Sequence, residues 1–502
     1  MHDKMRKVNS TIALLKNKPY FLFLLPLFFV LHGFTEYFNA IPVKDALLLI
    51  LVYTGSSLMI AGLFWLFYRN FIKASIVAFL VMAYHFFFGS FQDYLKDHFH
   101  GTFIARYSFI LPVSFLFFIA AVTWLKKRKN PLNKIILYLN VLFLFLLAAD
   151  TGWLFTKIFA PKEKPLLRLI REGFFVCDTC KKPDIYFVLL DEYTGNTALK
   201  EKFNFDNADF ESELAKRGFY VVRDSRSNYN FTPYSVASIL NMNYLELNMK
   251  TRNAGNLNYA YGTINNNLTL TYLSAEGYRF YNYSIFDFRG QPSLDNDNFL
   301  PVKTKLITSQ TFFNRLEKDI LFNITTGKWK FKAIQQRSFY NHLHNNEKFI
   351  RLTEDAVSKT SSSPKFIYTH LLMPHYPYYF DSKGNPLPAD NLAEGSQSDQ
   401  HNYKEYLQYC NNKILDLTDH ILSASSSPPV IILLGDHGYR NYQDQTPDKY
   451  YFLNLDAVYF PEKNYNSFYD GMTNANLFRT LFNTEFHQHL PLLKDSTVYL
   501  WR

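Results

Sequence analysis

The chain divides into two parts that differ in their pattern of hydrophobic and polar residues. From about residue 19 to 157, stretches rich in Phe, Leu, Ile and Val recur, with short polar breaks between them. A helix of about 20 residues spans the roughly 30 Å hydrocarbon core of a bilayer. We therefore predict about five transmembrane helices, near 19–38, 44–68, 73–95, 106–125 and 134–157.

Lys and Arg residues are distributed unequally among the short loops of this first part. They are concentrated before the first predicted span, between the second and third, and between the fourth and fifth. Because such residues favour the cytoplasmic side, these segments are expected in the cytoplasm. An odd number of spans then places everything after Lys157 outside it, as in a multi-pass protein of a bacterial inner membrane with a periplasmic domain.

The net charge of +10 at first suggests a nucleic-acid partner. Much of it comes from the basic loops, which suit anionic lipid headgroups. The second part has no basic stripe interleaved with stacking aromatic residues, so nucleic acid is not expected as a partner.

Beyond residue 160 the pattern becomes that of an α/β domain. Apolar runs at Ile185–Leu190, Phe366–Thr369 and Val430–Leu434 alternate with segments such as 208–217 that have helical periodicity. This alternation predicts a mainly parallel sheet with helices on both faces. We expect a transmembrane domain over 1–159, a juxtamembrane linker over 160–182 and an extracytoplasmic domain over 183–502.

Residues that can bind metals or transfer protons follow the predicted strands directly. In parallel sheets, functional sites form at the carboxyl ends of strands. A turn or a helix cap explains each residue taken singly, but their common position favours a metal site. Carboxylates together with imidazoles suit zinc or manganese better than calcium or magnesium. The candidates are Asp191, Glu192, His370, His375, Asp436 and His437.

Three segments resemble motifs of the alkaline phosphatase/sulfatase superfamily, in particular its membrane-anchored sulfatase-like branch. They are Pro183–Glu192, Asn230–Leu240 and Val430–Gly438, and the resemblance extends over most of 183–500. The combination of a multi-span anchor with an outer catalytic domain resembles phosphoethanolamine transferases and lipoteichoic acid synthases. The fold implied for the outer domain is the α/β fold of that superfamily.

The resemblance also implies roles for individual residues. Asp191, Asp436 and His437 correspond to metal ligands, and Thr232 corresponds to a residue that is both ligand and nucleophile. Glu192 occupies the place of a second acidic ligand. A divalent metal, zinc or manganese, is the implied cofactor.

His370 and His375 resemble the pair that contacts the transferred phosphate or a second metal in phosphoethanolamine transferases. The nucleophile segment differs from that of true sulfatases, which form formylglycine within Cys/Ser-x-Pro-x-Arg. Here the equivalent positions are Thr232, Tyr234 and Val236, and threonine does not yield that aldehyde in the usual way. The resemblance therefore points to phosphorus chemistry, in which threonine serves as a nucleophile.

The leading hypothesis is transfer of a phosphoryl headgroup, of phosphoethanolamine or phosphoglycerol type, from a membrane lipid to a lipid, glycan or other envelope-polymer acceptor. One alternative is a sulfuric ester or phosphodiester hydrolase, and another is a membrane protein whose outer domain only binds. Thr232, which precedes Pro233, also suits a helix N-cap. The pair Cys177 and Cys180 is open to a disulfide, to free thiols or to a zinc site.

The predicted orientation is testable with a reporter enzyme that is active only outside the cytoplasm. Fused after Arg502, it should be active, because the asymmetry of Lys and Arg places that end outside. Activity of a reporter that works only in the cytoplasm, fused at the same position, would overturn the orientation.

Overall fold

The computed structural model describes residues 13–99, 102–160, 165–294, 302–316, 340–392 and 394–501. The chain forms two units, one of residues 1–161 with 297–321 and the other of residues 162–296 with 322–502. The range 183–502, expected to form the outer domain, therefore contains a segment that packs with the first unit.

Five long apolar helices make up most of the first unit: α1 (Phe21–Glu36), α2 (Val43–Tyr68), α3 (Phe71–His98), α4 (Tyr107–Lys127) and α5 (Asn133–Ile158). They coincide with the five predicted spans. The last four are long and apolar enough to cross a membrane. α1 has 16 residues, so it is about 24 Å long and shorter than the roughly 30 Å hydrocarbon core.

A buried side-chain amide connects α5 to the start of α1. The Asn140 side chain of α5 accepts a hydrogen bond from the backbone N–H of Phe21 at 2.7 Å. It also donates to the backbone carbonyls of Leu15 and Lys18, each at 2.7 Å. One side chain thus binds the N–H of the first residue of α1, a group that has no partner within its own helix, and two carbonyls just before the helix.

The second unit contains the sheet and its helices. Its sequence is interrupted by residues 297–321, which belong to the first unit and contain the helices α12 and α13 of the following list. In chain order the elements are α6 (Pro165–Arg171), β1 (Ile185–Leu190), α7 (Asn196–Phe203), α8 (Ala208–Lys216), β2 (Tyr220–Val221), α9 (Thr232–Asn241), α10 (Ala254–Asn265), α11 (Leu268–Ala275), β3 (Arg279–Tyr283), α12 (Lys305–Thr308), α13 (Phe312–Leu316), α14 (Asn341–Ser358), β4 (Lys365–Leu371), α15 (Gln400–Ala424), β5 (Val430–Gly435), β6 (Asp456–Tyr459) and α16 (Leu477–Glu485).

The helices α12 and α13 belong to the first unit, where α12 packs against α1 and α13 packs against α3. The backbone N–H of Gly89 donates to the carbonyl of Gln310 at 2.8 Å. A Cβ atom at residue 89 would lie 2.5 Å from that carbonyl oxygen, so only glycine permits this approach.

The sheet has six strands in the order β2-β6-β5-β1-β4-β3. β1 lies at its centre and pairs in parallel with β4 and β5, while β3 is parallel to β4. β6 and β2 form an antiparallel edge next to β5. The prediction of a mainly parallel sheet is confirmed.

Both faces of the sheet are covered by helices. Alternate residues of β1 point to opposite sides, as the period of a strand requires. Phe187 packs in a core with Ile239 of α9 and Phe478 of α16, whereas Val188 packs in a second core with Phe349 of α14 and residues of α15. Because both faces are buried, the central strands are continuous apolar runs.

The register of the central strands brings their carboxyl ends to one level. Leu190 is paired with Leu371 of β4 and with Gly435 of β5. The next residues of β1 and β5 are Asp191 and Asp436, so the two carboxylates emerge side by side.

Cys177 and Cys180 form a disulfide ahead of β1. This excludes the zinc site for the pair. Cys410 of α15 is a buried free thiol.

Lys365, at the start of β4, is a buried cation that ties the strand to the preceding helix. Its Nζ donates to the carbonyls of Ala356, Val357 and Lys359 at 2.9–3.2 Å and lies 3.1 Å from Asp184 Oδ2. These carbonyls end α14, where a positive charge is favourable.

We expect Lys365→Ala to destabilise the protein by about 3 kcal/mol, because it leaves buried carbonyls and a carboxylate without their cation. The thermal unfolding midpoint of the full chain in detergent should fall by several degrees. The control Lys413→Ala removes an exposed lysine that lies over the Tyr409 ring, and it should change the midpoint little. Equal midpoints for the two variants would show that Lys365 has no such role.

Candidate metal and nucleophile site

Two buried carboxylates occupy the carboxyl ends of β1 and β5. Asp191 is 5% exposed and Asp436 is fully buried. Asp436 Oδ1 accepts hydrogen bonds from the backbone N–H groups of Glu192 at 2.9 Å and His437 at 2.8 Å. Asp191 Oδ1 and Asp436 Oδ2 are buried and have no hydrogen-bond partner among the described residues. These oxygens are therefore available to a cation.

His370 joins the carboxylates from the neighbouring strand. It lies within β4, and its ring stacks on Phe286 with the centroids 5.7 Å apart. Both ring nitrogens are buried without a hydrogen-bond partner in the described part of the chain, and Nε2 lies 3.8 Å from Asp191 Oδ2. One ligand atom from each of Asp191, His370 and Asp436 falls within 4.8 Å of the others. This donor set fits a divalent metal such as zinc or manganese.

The protonation tendencies of these three donors support this fit. Burial raises the pKa of Asp436 well above its usual value, and the nearby charge of Asp191 raises it further. Burial also raises the pKa of Asp191, against the opposing effect of the Arg440 charge. Burial lowers the pKa of His370 to about 3, which keeps its imidazole neutral. A divalent cation would favour the ionised carboxylates, and the neutral imidazole offers a lone pair.

Thr232 is the first residue of α9, and its hydroxyl faces the carboxylates. The side chain is buried, and Oγ1 lies 3.1 Å from His437 Nε2. His437 Nδ1 lies 2.8 Å from the Gly438 carbonyl, so Nδ1 carries the proton and Nε2 presents its lone pair to Thr232. The N-cap residue of this helix is Phe231 and not Thr232, and no side chain makes a capping hydrogen bond there.

His437 lies close to both the hydroxyl and the carboxylates. Its Nε2 is 3.3 Å from Asp436 Oδ2 and 3.9 Å from Asp191 Oδ1. Burial lowers the pKa of this imidazole well below its usual value, which again favours the neutral ring. The structure thus brings Asp191, Thr232, Asp436 and His437 together, as the sequence motifs imply.

Glu192 lies beside this group and is directed to the loop after His437. Its Oε1 accepts hydrogen bonds from the backbone N–H of Arg440 at 2.7 Å and from the Asn441 side chain at 3.4 Å. Its backbone has φ of 64°, in the left-handed region that non-glycine residues seldom adopt. Glu192 therefore positions the loop that carries Arg440.

His375 is separate from His370 and contacts Arg440. Its Nε2 lies 3.3 Å from Arg440 Nη2, and its Nδ1 lies 2.5 Å from the Tyr376 carbonyl. The guanidinium donates to Nε2, so Nδ1 carries the proton and donates to the carbonyl. Sequence reasoning did not identify Arg440, and its position directly after the Gly435–Tyr439 turn was the available signal.

No protein-family model and no curated protein sequence matches the chain. Solved structures with some similarity include the integral membrane protein lipooligosaccharide phosphoethanolamine transferase A from Neisseria meningitidis, at 12% identity and a TM-score of 0.37 over 96% of this chain and 97% of that one. The periplasmic domain of EptC from Escherichia coli has 15% identity and a TM-score of 0.37, covering 64% of this chain and 90% of that one.

A phosphonate monoester hydrolase from Silicibacter pomeroyi has 13% identity and a TM-score of 0.39, covering 63% of this chain and 75% of that one. These proteins are members of the alkaline phosphatase/sulfatase superfamily, whose motifs the sequence resembles. At such low identity and TM-scores the likeness carries no argument about activity, so the function is argued from the site itself.

The metal site is tested by Asp436→Asn, which keeps the shape of the side chain and removes its charge. We expect the purified full-length variant to lose its bound divalent metal, because a ligand becomes neutral. The matched control is Asp456→Asn, a change to another fully buried carboxylate that lies outside the ligand group. Elemental analysis by mass spectrometry should find metal in the control and little in Asp436→Asn. Equal metal content in both variants would remove the site.

Proposed function

We propose that this chain is a metal-dependent enzyme of the alkaline phosphatase/sulfatase superfamily that transfers a phosphoryl headgroup from a membrane lipid to an envelope acceptor. The observation that carries the proposal is the 3.1 Å contact between the Thr232 hydroxyl and His437 Nε2, next to a pair of buried carboxylates. A hydroxyl nucleophile needs such a neighbouring base or cation, since its own pKa is far above neutral.

The residues that would hold the metal are Asp191, His370 and Asp436, with His437 and Thr232 beside them. When bound, the ion supplies positive charge that lowers the pKa of a nearby hydroxyl and offsets negative charge on a phosphoryl group. This assignment gives His370 a place among the ligands, whereas the resemblance implied that it contacts the transferred phosphate or a second metal.

The chain's own residues account for proton movement and substrate orientation. Thr232 Oγ1 gives its proton to His437 Nε2 and forms a bond to phosphorus, while the bond from phosphorus to the lipid oxygen breaks. The departing oxygen takes up the proton from His437 Nε2 and leaves as a diacylglycerol hydroxyl, which returns His437 to its neutral form. The headgroup phosphate is then esterified to Thr232.

The second half of the reaction reverses these steps with a different alcohol. An acceptor hydroxyl loses its proton to His437 and attacks phosphorus. The bond from phosphorus to Thr232 Oγ1 breaks, and Oγ1 takes the proton from His437, which restores the threonine hydroxyl. Water in place of the acceptor would give hydrolysis. Arg440 and the start of α9 supply hydrogen-bond donors for the phosphoryl oxygens during both halves.

A lipid donor is favoured because the same chain carries four helices long and apolar enough to cross a membrane. A membrane anchor keeps the enzyme in the layer that contains the lipid, which raises the effective concentration of the donor. We place the protein in the bacterial inner membrane with the catalytic unit on the outer side, in agreement with the distribution of Lys and Arg.

The test is peptide mass spectrometry of the full-length protein after incubation with phosphatidylethanolamine or phosphatidylglycerol. We expect a headgroup-phosphate adduct on the peptide that contains Thr232. Thr232→Asn should form no adduct, and its turnover should fall by about three orders of magnitude or more.

The control Thr232→Ser keeps a hydroxyl at the same position and should retain part of the activity. A fully active Thr232→Asn enzyme would leave the mechanism without its nucleophile. Release of free headgroup phosphate with every acceptor offered would favour the hydrolase instead of the transferase.

A further inference from the structure

A gap of about 380 Å³, called the slot below, lies between α3 and α4 in the first unit. It is bordered by residues 83–95 of α3 and by residues 109–117 of α4. Among the described residues that line it are five phenylalanines, and only Tyr84 and Ser114 carry a polar side-chain group. The slot is therefore an apolar site within the membrane-crossing helices, and none of its lining residues belongs to the proposed catalytic site.

The slot exists because α4 packs loosely against the rest of the first unit. Of the 21 residues of α4, all of which the structure describes, only Ile110 and Leu125 are buried. In the most apolar 18-residue stretch of α4, 11% of the residues are buried, against 50% in α3. The part of α4 between Ile110 and Leu125 thus leaves one side of α3 uncovered.

Contacts at both ends of α4 hold it in this position. Near its start, the Tyr107 hydroxyl lies 3.3 Å from Gln92 Oε1 of α3. Near its end, the Tyr68 hydroxyl of α2 donates to the Val122 carbonyl at 2.8 Å. The slot therefore cannot close by a shift of the whole helix unless one of these contacts breaks.

The length and position of the slot match one leaflet of a bilayer. Residues 83–95 extend about 18 Å along α3, which is close to half of the roughly 30 Å hydrocarbon core. They lie in the second half of α3, and residues 109–117 lie in the first half of α4. With the orientation predicted from Lys and Arg, this is the half of the bilayer nearer to the outer side.

The size of the slot distinguishes between the apolar groups that a membrane offers. A helix about 10 Å wide takes up on the order of 1,400 Å³ over the same length, so a helix of a second copy of the chain does not fit. An empty slot would forfeit the dispersion contacts of its walls, and water would find few polar partners there. A single acyl chain is flexible and narrow enough to fill it.

We propose that the slot binds one acyl chain of a phospholipid from the outer leaflet. The end of the chain lies between Ala83 and Phe117, and its ester end lies near Leu95 and Phe109. The aromatic walls contact the chain along its length, and these contacts supply the binding energy. The inference goes beyond the proposed function, because the slot contacts the chain and not the headgroup.

Photo-crosslinking locates the chain in the full-length protein, reconstituted into vesicles of phosphatidylcholine. A trace of phosphatidylcholine carries a diazirine on one acyl chain, either at the last carbon or next to the ester. After illumination, peptide mass spectrometry identifies the labelled residues. We expect the terminal probe to label the protein near Ala83 and Phe117, and the ester-proximal probe to label it near Leu95 and Phe109.

The exposed side of α5 around Val141 is the comparison for lipid that contacts the protein without a site. Val113 and Val141 are equally exposed, at 48% and 49%, but only Val113 lines the slot. Val113→Trp should fill the slot and lower the labelling of residues 83–95 by about tenfold or more. The matched control Val141→Trp should leave that labelling unchanged, and Val113→Ala, which keeps the slot open, should retain it.

Equal labelling of the slot and of the α5 surface in the wild type would overturn the proposal, as would unchanged labelling of the slot in Val113→Trp. The reverse order of labelling along α3 would overturn the assignment to the outer leaflet. Unlabelled slot peptides in a protein that sediments as a dimer would assign the slot to a second copy of the chain. The wild-type pattern is read without any substitution, so it does not depend on the folding of a variant.

The result is also independent of the reaction at Thr232. Phosphatidylcholine carries neither of the headgroups proposed for transfer, and no turnover is measured. Absence of a headgroup adduct on Thr232 would refute the proposed function and leave the labelling of the slot unaffected.

Discussion

The site depends on keeping two carboxylates buried next to each other at the ends of β1 and β5. Removing a charged group from water is unfavourable unless it is paired, and here each of Asp191 and Asp436 has a buried oxygen without a hydrogen-bond partner in the described chain. The parallel register enforces the arrangement, because Leu190 and Gly435 are paired and the next residues cannot separate. A bound cation would offset the repulsion between these two carboxylates.

The sequence predicted much of this framework because the central strands have an unambiguous pattern. β1 matches its predicted range, and β5 extends one residue beyond it, because runs buried on both faces contain only apolar residues. β4 extends from Lys365 to Leu371, so His370 lies within the strand and not in the loop that follows. The apolar run ended at a histidine, and the pattern gave no sign that the strand continued through it.

The contacts of the site that escaped prediction join residues far apart in sequence. Arg252 and Arg440 meet at Phe231, although 188 positions separate the two arginines. Lone arginines in irregular segments have no periodicity from which a position can be inferred. In the same way, the length of α1 depends on where Asn140 satisfies the backbone at its start, which is a tertiary contact.

Phe231 is the residue directly before the helix that begins at Thr232. Its ring also lies against the guanidinium groups of Arg252 and Arg440, so a substitution there is expected to disturb Thr232 and both arginines together. Position 231 is therefore expected to tolerate little variation among proteins that keep the same arrangement of these residues.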